Sequence, residues 1–365
     1  MGYKDKVGAD IARWQKAGLV SPDTADALRA DIEANHGKGL GFGQVLAIMA
    51  GLLLAAAVLI MVAANWEAIP RLWRVGTLFA LLAASYVGGA FLKVRGNDAF
   101  AEAAWLVGAA TFGGSIALIS QMYHITGDET QAILVWCLGT ALAAAALRSP
   151  ILTVAAVALA GAWAGWPVFN FSLNVDIWFL PLLAALWALS IWTRSIPARH
   201  LIILSVIGYA VTLYVDNDLK IVPAILALAS AGLFFAVTRF GDEIERLTGL
   251  GEGLAVDALI GFLVGIVSLQ FIYSDTGHFM WLAILGLGGI VGALLLGGRL
   301  GRSVRWLAYL GFALEIAIIY ANTIGSMLGT AGFFLLAAIG LGVLAFVIIR
   351  VERRMAAPAA TGTGA

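Results

Sequence analysis

The sequence predicts an all-α protein, a polytopic bundle of about twelve transmembrane helices preceded by a short cytoplasmic helical hairpin. Two observations support this fold class. Of the 365 residues, 61% are hydrophobic and 12% are charged, whereas soluble domains carry about 25% charged residues. Apolar runs of roughly 18 to 25 residues recur from Gly43 to Ile349, and each is long enough to cross ~30 Å of hydrocarbon as a helix. The predicted spans are residues 43–64, 74–92, 99–121, 130–147, 150–168, 175–193, 198–215, 220–238, 252–273, 279–298, 303–322 and 326–349.

The distribution of lysine and arginine predicts the orientation of the bundle. With an even number of spans, all but three of the 22 basic residues fall on the side of the N-terminus. Cytoplasmic loops carry an excess of Lys and Arg, so we expect both termini to be cytoplasmic. The three basic residues on the outer side are Arg71, Arg74 and Lys220.

The polar N-terminal segment, residues 1–40, predicts two short helices and a linker. Gly18 provides a stop for the first helix, and Ser21 followed by Pro22 is a typical start for the second. Six basic residues are balanced by six acidic ones, so the segment lacks the basic excess that DNA binding requires. We therefore expect no nucleic-acid partner, but a docking surface for a cytoplasmic protein. We predict that the bundle covers residues 43–349 and that residues 350–365 form a disordered cytoplasmic tail.

Two polar segments end the first and the third predicted spans, on the same outer side of the membrane. Their side chains either form a polar cluster at the outer mouth of the bundle or satisfy the backbone groups at helix ends. The candidate residues are Asn65, Trp66, Glu67, Gln121, Tyr123 and Asp128.

These two segments, together with the Trp14-x-x-x-Gly18 hairpin, resemble the bacterial membrane proteins grouped as domain of unknown function family 2157. Members of that family show a short N-terminal helical segment, an Asn-Trp at the end of the first span and a Gln-x-Tyr…Gly-Asp stretch after the third. The resemblance covers roughly residues 8–150. It implies a multi-pass protein of the bacterial inner membrane, in contact with the lipid bilayer, and it implies no activity.

Glu315 is the ionisable residue that stands deepest in a predicted span. It lies about seven residues from the outer end, or ~10 Å deep, where a charged acid costs ~2.5–3.5 kcal/mol. It should therefore face the bundle interior or a wet cavity. The side chain is either a proton carrier or a protonated acid that hydrogen-bonds across helices. Asp257 and Glu102 lie nearer the cytoplasmic ends, where we expect them to reach the membrane surface.

Pairs of glycines at a spacing of four residues predict close approach between helices. They carry no information about a substrate. The pairs are Gly161–Gly165, Gly261–Gly265, Gly288–Gly292 and Gly325–Gly329.

No sequence motif indicates a cofactor, a metal site or a catalytic nucleophile. The chain has four scattered histidines and a single cysteine, Cys137, inside an apolar run, and it lacks nucleotide-binding and hydrolase motifs. We therefore predict no cofactor, no metal and no assigned catalytic residue.

Three functions remain open. The first is a transporter of a small molecule or lipid-linked substrate with Glu315 on its pathway. The second is a non-transporting sensor or assembly protein that signals through its N-terminal hairpin. The third, ranked last, is an enzyme at the outer face with Glu67, His124 and Asp128 as acid/base groups.

Overall fold

The computed structural model describes most of the central part of the chain. The described ranges are residues 3–35, 70–124, 127–169, 177–297 and 301–323, with single positions and short stretches between 46 and 61 and between 334 and 342. Most of the first and last predicted spans, and the candidate residues Asn65, Trp66 and Glu67, lie outside the described residues.

The described part of the chain is all-α. Its thirteen helices are α1 Tyr3–Lys16, α2 Pro22–Asn35, α3 Arg71–Val94, α4 Asp98–Met122, α5 Glu129–Leu147, α6 Pro150–Phe169, α7 Phe179–Trp192, α8 Ile196–Asn217, α9 Ile221–Arg239, α10 Gly241–Thr248, α11 Gly253–Ile272, α12 His278–Gly297 and α13 Arg302–Thr323.

Nine of these described helices are long and apolar enough to cross a membrane: α3 to α6, α8, α9 and α11 to α13. The chain is therefore a multi-pass membrane protein, but twelve spans are not established. The predicted span 175–193 is represented by α7, which has only 14 residues and is about 21 Å long, shorter than the ~30 Å hydrocarbon core. Large apolar side chains such as Leu72, Leu142 and Leu228 are exposed on these helices, so the surrounding medium is the lipid bilayer.

The N-terminal helices α1 and α2 form where the sequence predicts them. Gly18 follows α1 with φ +70°, a left-handed conformation that suits glycine at a helix end. The Ser21 hydroxyl accepts a hydrogen bond from the Thr24 amide at 3.2 Å, which caps the start of α2. The two helices pack together and bury Ile11 and Ala25.

A short helix, α10, occupies what the sequence analysis treats as a loop between the spans 220–238 and 252–273. The Arg199 guanidinium donates from Nη1 to the carbonyl of Thr248, the last residue of α10, at 2.6 Å. A cation at that end also interacts favourably with the helix dipole. Gly249 follows with φ +67°, so the turn after α10 needs a residue that tolerates the left-handed region.

The chain divides into two compact units, Met1–Thr111 and Phe112–Ala365. In the second unit α11 is the central helix: 56% of its apolar stretch is buried, against 17–33% in the other eight candidate spans. It packs against α8, α9, α12 and α13. A polar or charged residue on α11 thus faces protein rather than lipid in most directions. In this chain, the buried polar residues of α11 are Asp257 and Gln270.

The glycine spacing predicts helix contact correctly for one pair and wrongly for another. A Cβ atom on Gly265 would lie 2.8 Å from the Pro223 carbonyl oxygen of α9, so α9 and α11 are in close backbone contact. Gly288 and Gly292 on α12 show the same spacing, but a Cβ there would meet no described atom within 4 Å.

Candidate functional site

The side chain of Glu315 lies in the interior of the second unit, as its position in the sequence predicts. It stands on α13, thirteen residues after Arg302 and eight before Thr323, and it is only 1% exposed. The Gln270 side chain of α11 donates a hydrogen bond from Nε2 to Glu315 Oε1. Glu315 therefore joins α13 to the central helix.

A glycine on α12 leaves room for this carboxyl group. A Cβ on Gly286 would lie 3.1 Å from Glu315 Oε1 and 3.0 Å from Ile266 Cγ2, closer than most real Cβ contacts. Ile266 is itself buried on α11. The carboxyl group is thus enclosed at the junction of α11, α12 and α13, and its polar neighbour among the described residues is the Gln270 amide.

The pair of Glu315 and Gln270 retains one unused hydrogen-bond acceptor. Gln270 Oε1 is buried and has no hydrogen-bond partner among the described residues. No described lysine, arginine or histidine forms an ion pair with Glu315. An unpaired carboxylate in an apolar interior is costly, whereas a protonated carboxyl group has an O–H to donate. The arrangement is chemically suited to hold a proton on Glu315.

The structure places the candidate residues of the third span at a helix-to-helix connection. Gln121 and Tyr123 are exposed at the end of α4. Asp128 Oδ1 accepts a hydrogen bond from the Thr130 amide at 2.9 Å and caps α5. Within the described residues, no hydrogen bond joins the side chains of these three residues.

The neighbouring Glu129 connects two helices through a contact that the sequence analysis did not identify. Its Oε2 accepts a hydrogen bond from Trp166 Nε1 at 3.2 Å, which links α5 to α6. The helix cap and this cross-link are the kind of contact that polar residues at helix ends make in the absence of any ligand.

Comparison with known families bears on this N-terminal part of the chain. Residues 12–153 match the family described as Predicted membrane protein (DUF2157). The resemblance predicted from the Trp14 hairpin and the two polar segments is confirmed over this range. No curated protein and no solved structure matches the chain. The DUF2157 match supports a multi-pass membrane protein and carries no activity, and it ends well before Gln270 and Glu315.

A second buried polar pair also lies beyond the DUF2157 region. The expectation that Asp257 reaches the membrane surface is wrong: its side chain is 5% exposed, and its Oδ2 lies 2.6 Å from His200 Nδ1. Glu102 is likewise buried in the first unit, at 6% exposed. Position along a helix determines the depth of a residue but not the face that it occupies, and both acids face protein.

Sequence reasoning identified Glu315 but missed Gln270, His200 and the burial of Asp257. The signal that was available is composition: Gln270 and Asp257 are the polar residues with the longest side chains in the otherwise apolar α11. Polar side chains in a central membrane helix pair with groups on neighbouring helices, so each of them implied a partner.

Proposed function

We propose that the protein is a proton-coupled carrier of the bacterial inner membrane, for a small molecule or lipid-linked substrate, in which Glu315 binds and releases the coupling proton. The observation that supports this proposal is the burial of an acidic side chain whose described polar partner is a single amide. Ionisable groups in membrane spans are costly and commonly serve ion or substrate pathways. The unused Gln270 oxygen offers an acceptor when Glu315 carries a proton.

The excess of basic residues on one side of the predicted spans supports an orientation with both termini in the cytoplasm. In that orientation Glu315 belongs to the outer half of the bundle, and the starts of α8 and α11 lie on the cytoplasmic side. A carrier must expose Glu315 to water in at least one conformation, because a proton has to reach it. The structure has Glu315 enclosed, so it corresponds to an occluded conformation in this proposal.

Labelling of introduced cysteines tests whether water reaches Glu315. Cys137 is first replaced by Ala, and Glu315→Cys is then treated with a small membrane-impermeant thiol reagent in intact cells and in inverted vesicles. Ala308→Cys is the matched control for burial, because Ala308 is fully buried on the same helix. Asp128→Cys, at an exposed position, is the control for reagent activity.

A carrier predicts that Glu315→Cys reacts from at least one side while Ala308→Cys does not. If Glu315→Cys stays as unreactive as Ala308→Cys on both sides while Asp128→Cys reacts, Glu315 is an interhelical contact and the carrier proposal is wrong.

Proton binding itself can be recorded on reconstituted protein. A sudden change of pH over proteoliposomes adsorbed to a sensor should displace charge as Glu315 takes up its proton, and Glu315→Gln should reduce that signal. Glu102→Gln, which removes a buried acid of the first unit, should retain it. An unchanged signal in Glu315→Gln would contradict proton binding at this residue.

One observation favours a second function, a sensor or assembly protein. Trp14, Leu19 and Leu28 are exposed on α1, α2 and their connection, which gives this hairpin an apolar surface suited to a protein partner. If deletion of residues 1–40 abolishes the cellular role while Glu315→Gln does not, this second function is the better one.

A further inference from the structure

We infer that His200 and Asp257 form a proton-binding pair at the end of the second unit where α8 and α11 begin. His200 is the fifth residue of α8 and Asp257 the fifth of α11. His200 Nδ1 lies 2.6 Å from Asp257 Oδ2. The assignment of this pair as the second proton site of a carrier rests on the proposed function.

The two side chains differ in their access to solvent. The His200 side chain is 29% exposed, whereas that of Asp257 is 5% exposed. The imidazole is therefore the more open member of the pair, and the carboxylate is the member enclosed by protein. In the proposed orientation this end of α8 lies on the cytoplasmic side, and a proton that arrives from there reaches His200 before Asp257.

The first turn of α11 lies against the imidazole ring of His200. A Cβ on Gly253 would lie 2.6 Å from His200 Cε1 and 2.8 Å from Nε2. The ring thus packs directly on the first turn of α11, one turn before Asp257. Any larger residue at position 253 would displace it. Glycine at this position permits the hydrogen bond between α8 and α11.

The basic residue next to His200 in the sequence has partners of its own. Arg199, adjacent to His200, donates to the Thr248 carbonyl at 2.6 Å and to the Ser190 carbonyl at 3.4 Å. The Glu252 carboxylate points elsewhere as well, because a Cβ on Gly301 would meet its Oε2 at 2.8 Å. These contacts leave His200 as the ion-pair partner that the structure gives to Asp257.

Other charged groups at this end of the described bundle are at the surface or have separate contacts. The Arg148 guanidinium lies 4.2 Å from the centroid of the Trp192 ring, and that of Arg239 lies 5.6 Å from the Phe240 centroid. The remaining charged residues on the elements packed around α8 and α11 are Arg194, Asp242, Glu243, Glu245, Arg246, Arg302 and Arg305.

The chemistry of the pair follows from which ring nitrogen faces the carboxylate. With Asp257 as acceptor, Nδ1 carries the hydrogen and Nε2 keeps a lone pair. Uptake of one proton from water at Nε2 converts the neutral imidazole beside a carboxylate into an imidazolium–carboxylate pair, and release of that proton reverses the change. Histidine undergoes this conversion near physiological pH.

The central helix places the pair at a distance from Glu315. Asp257 and Gln270 are thirteen residues apart on α11, or about 20 Å along its axis. α11 thus contacts an ionisable group near each of its ends: it carries Asp257 itself near one end, and near the other its Gln270 side chain holds Glu315 of α13. In a proton-coupled carrier this arrangement gives one proton site to each side of the membrane.

Nitrogen NMR of the histidine ring tests the inference directly. Protein with ¹⁵N-labelled histidine is prepared in lipid nanodiscs with His36, His124 and His278 replaced by Gln, so that His200 gives the remaining ring signals. We expect a reversible change from neutral imidazole with the hydrogen on Nδ1 to imidazolium as the buffer is taken from alkaline to acidic. A His200 ring that keeps one charge state throughout would overturn the inference.

The partner is tested by Asp257→Asn, with Asp275→Asn at an exposed position as the matched control. We expect Asp257→Asn to lower the share of imidazolium in the His200 ring spectra at a given pH, because the carboxylate that favours the charged ring is lost, and Asp275→Asn to leave the spectra unchanged. Asp257→Glu, which keeps the carboxylate, serves if Asp257→Asn does not fold, and it should retain a titrating His200. Identical His200 ring spectra in wild type and Asp257→Asn would show that the two groups do not share a proton-binding function.

The two proposals fail in different experiments. Labelling of Glu315→Cys reports water access to the outer half and does not depend on His200. If Glu315→Cys reacts and His200 keeps one charge state, the second proton site is wrong and the carrier proposal stands. If His200 changes its charge state and Glu315→Cys does not react, the carrier proposal is wrong and the proton-binding pair stands.

Discussion

Replacement of Gly265 by alanine should separate two helices that are in backbone contact. A Cβ at this position would lie 2.8 Å from the Ala227 amide nitrogen and from the Pro223 carbonyl oxygen of α9. Both are backbone atoms, so they cannot rotate away as a side chain would. Ordinary contact begins at 3.4 Å, and α9 and α11 must therefore move apart by about 0.6 Å or bend.

The magnitude follows from two opposing effects. Extra volume in a well-packed core costs about 1–3 kcal/mol, while alanine is favoured over glycine within a helix by about 1 kcal/mol. Gly288→Ala on α12 receives the same helix-forming gain, but its Cβ would meet no described atom within 4 Å. The comparison between the two variants cancels that gain. It leaves Gly265→Ala less stable than Gly288→Ala by about 1–3 kcal/mol.

The single cysteine provides the assay. Cys137 is fully buried on α5, so a maleimide that becomes fluorescent on reaction reports its exposure as detergent-solubilised protein is heated. At about 2–4 °C per kcal/mol for domains near the size of the second unit, the midpoint of Gly265→Ala should lie at least about 2 °C below that of Gly288→Ala. A midpoint equal to or above that of Gly288→Ala would refute close backbone contact at Gly265.

Four further substitutions test three other contacts. Thr153→Val removes a buried hydroxyl that lies 2.8 Å from a threonine hydroxyl at the end of α7, and it should cost about 1 kcal/mol in the same thermal assay. Gly253→Ala should displace the His200 ring and abolish its hydrogen bond to the acid on α11, which ¹⁵N spectra of the ring would record. Glu315→Leu and Gln270→Leu should each lower the stability by about 1–3 kcal/mol, because each leaves the other side chain buried without its hydrogen bond. The double variant should lose less stability than the sum of the two single variants. An additive loss would contradict their pairing.

The sequence predicts those elements whose cause is local. Gly18 and Ser21 terminate and start helices through their own backbone and side-chain chemistry, and α1 and α2 end and begin beside them. Hydrophobic length predicts most of the spans for the same reason. Hydrophobic length overestimates α7, because apolar residues continue beyond the helix. Periodicity does not predict α10, because eight residues are too few to show a clear pattern.

The candidate site is less predictable because its contacts join distant parts of the chain. Depth in a span can be counted along the sequence, which identifies Glu315, but its partner Gln270 lies 45 residues away. His200 and Asp257 are separated by 57 residues. The pairs Gly261–Gly265 and Gly288–Gly292 have identical spacing, and only the packing of neighbouring helices determines that the first pair meets α9.

The location of both polar pairs on α11 connects their chemistry to helix packing. Each pair joins α11 to a different neighbour: Asp257 to α8 through His200, and Gln270 to α13 through Glu315. A protonation change at either pair alters a hydrogen bond between two helices, and buried hydrogen bonds to charged groups contribute about 1.5–3 kcal/mol. An energy of that size shifts a two-state equilibrium by more than tenfold. Protonation at one end of α11 is therefore sufficient in magnitude to favour one arrangement of α8, α11 and α13 over another. This relationship is the physical basis on which a buried acid–amide pair and a histidine–aspartate pair can serve one carrier cycle.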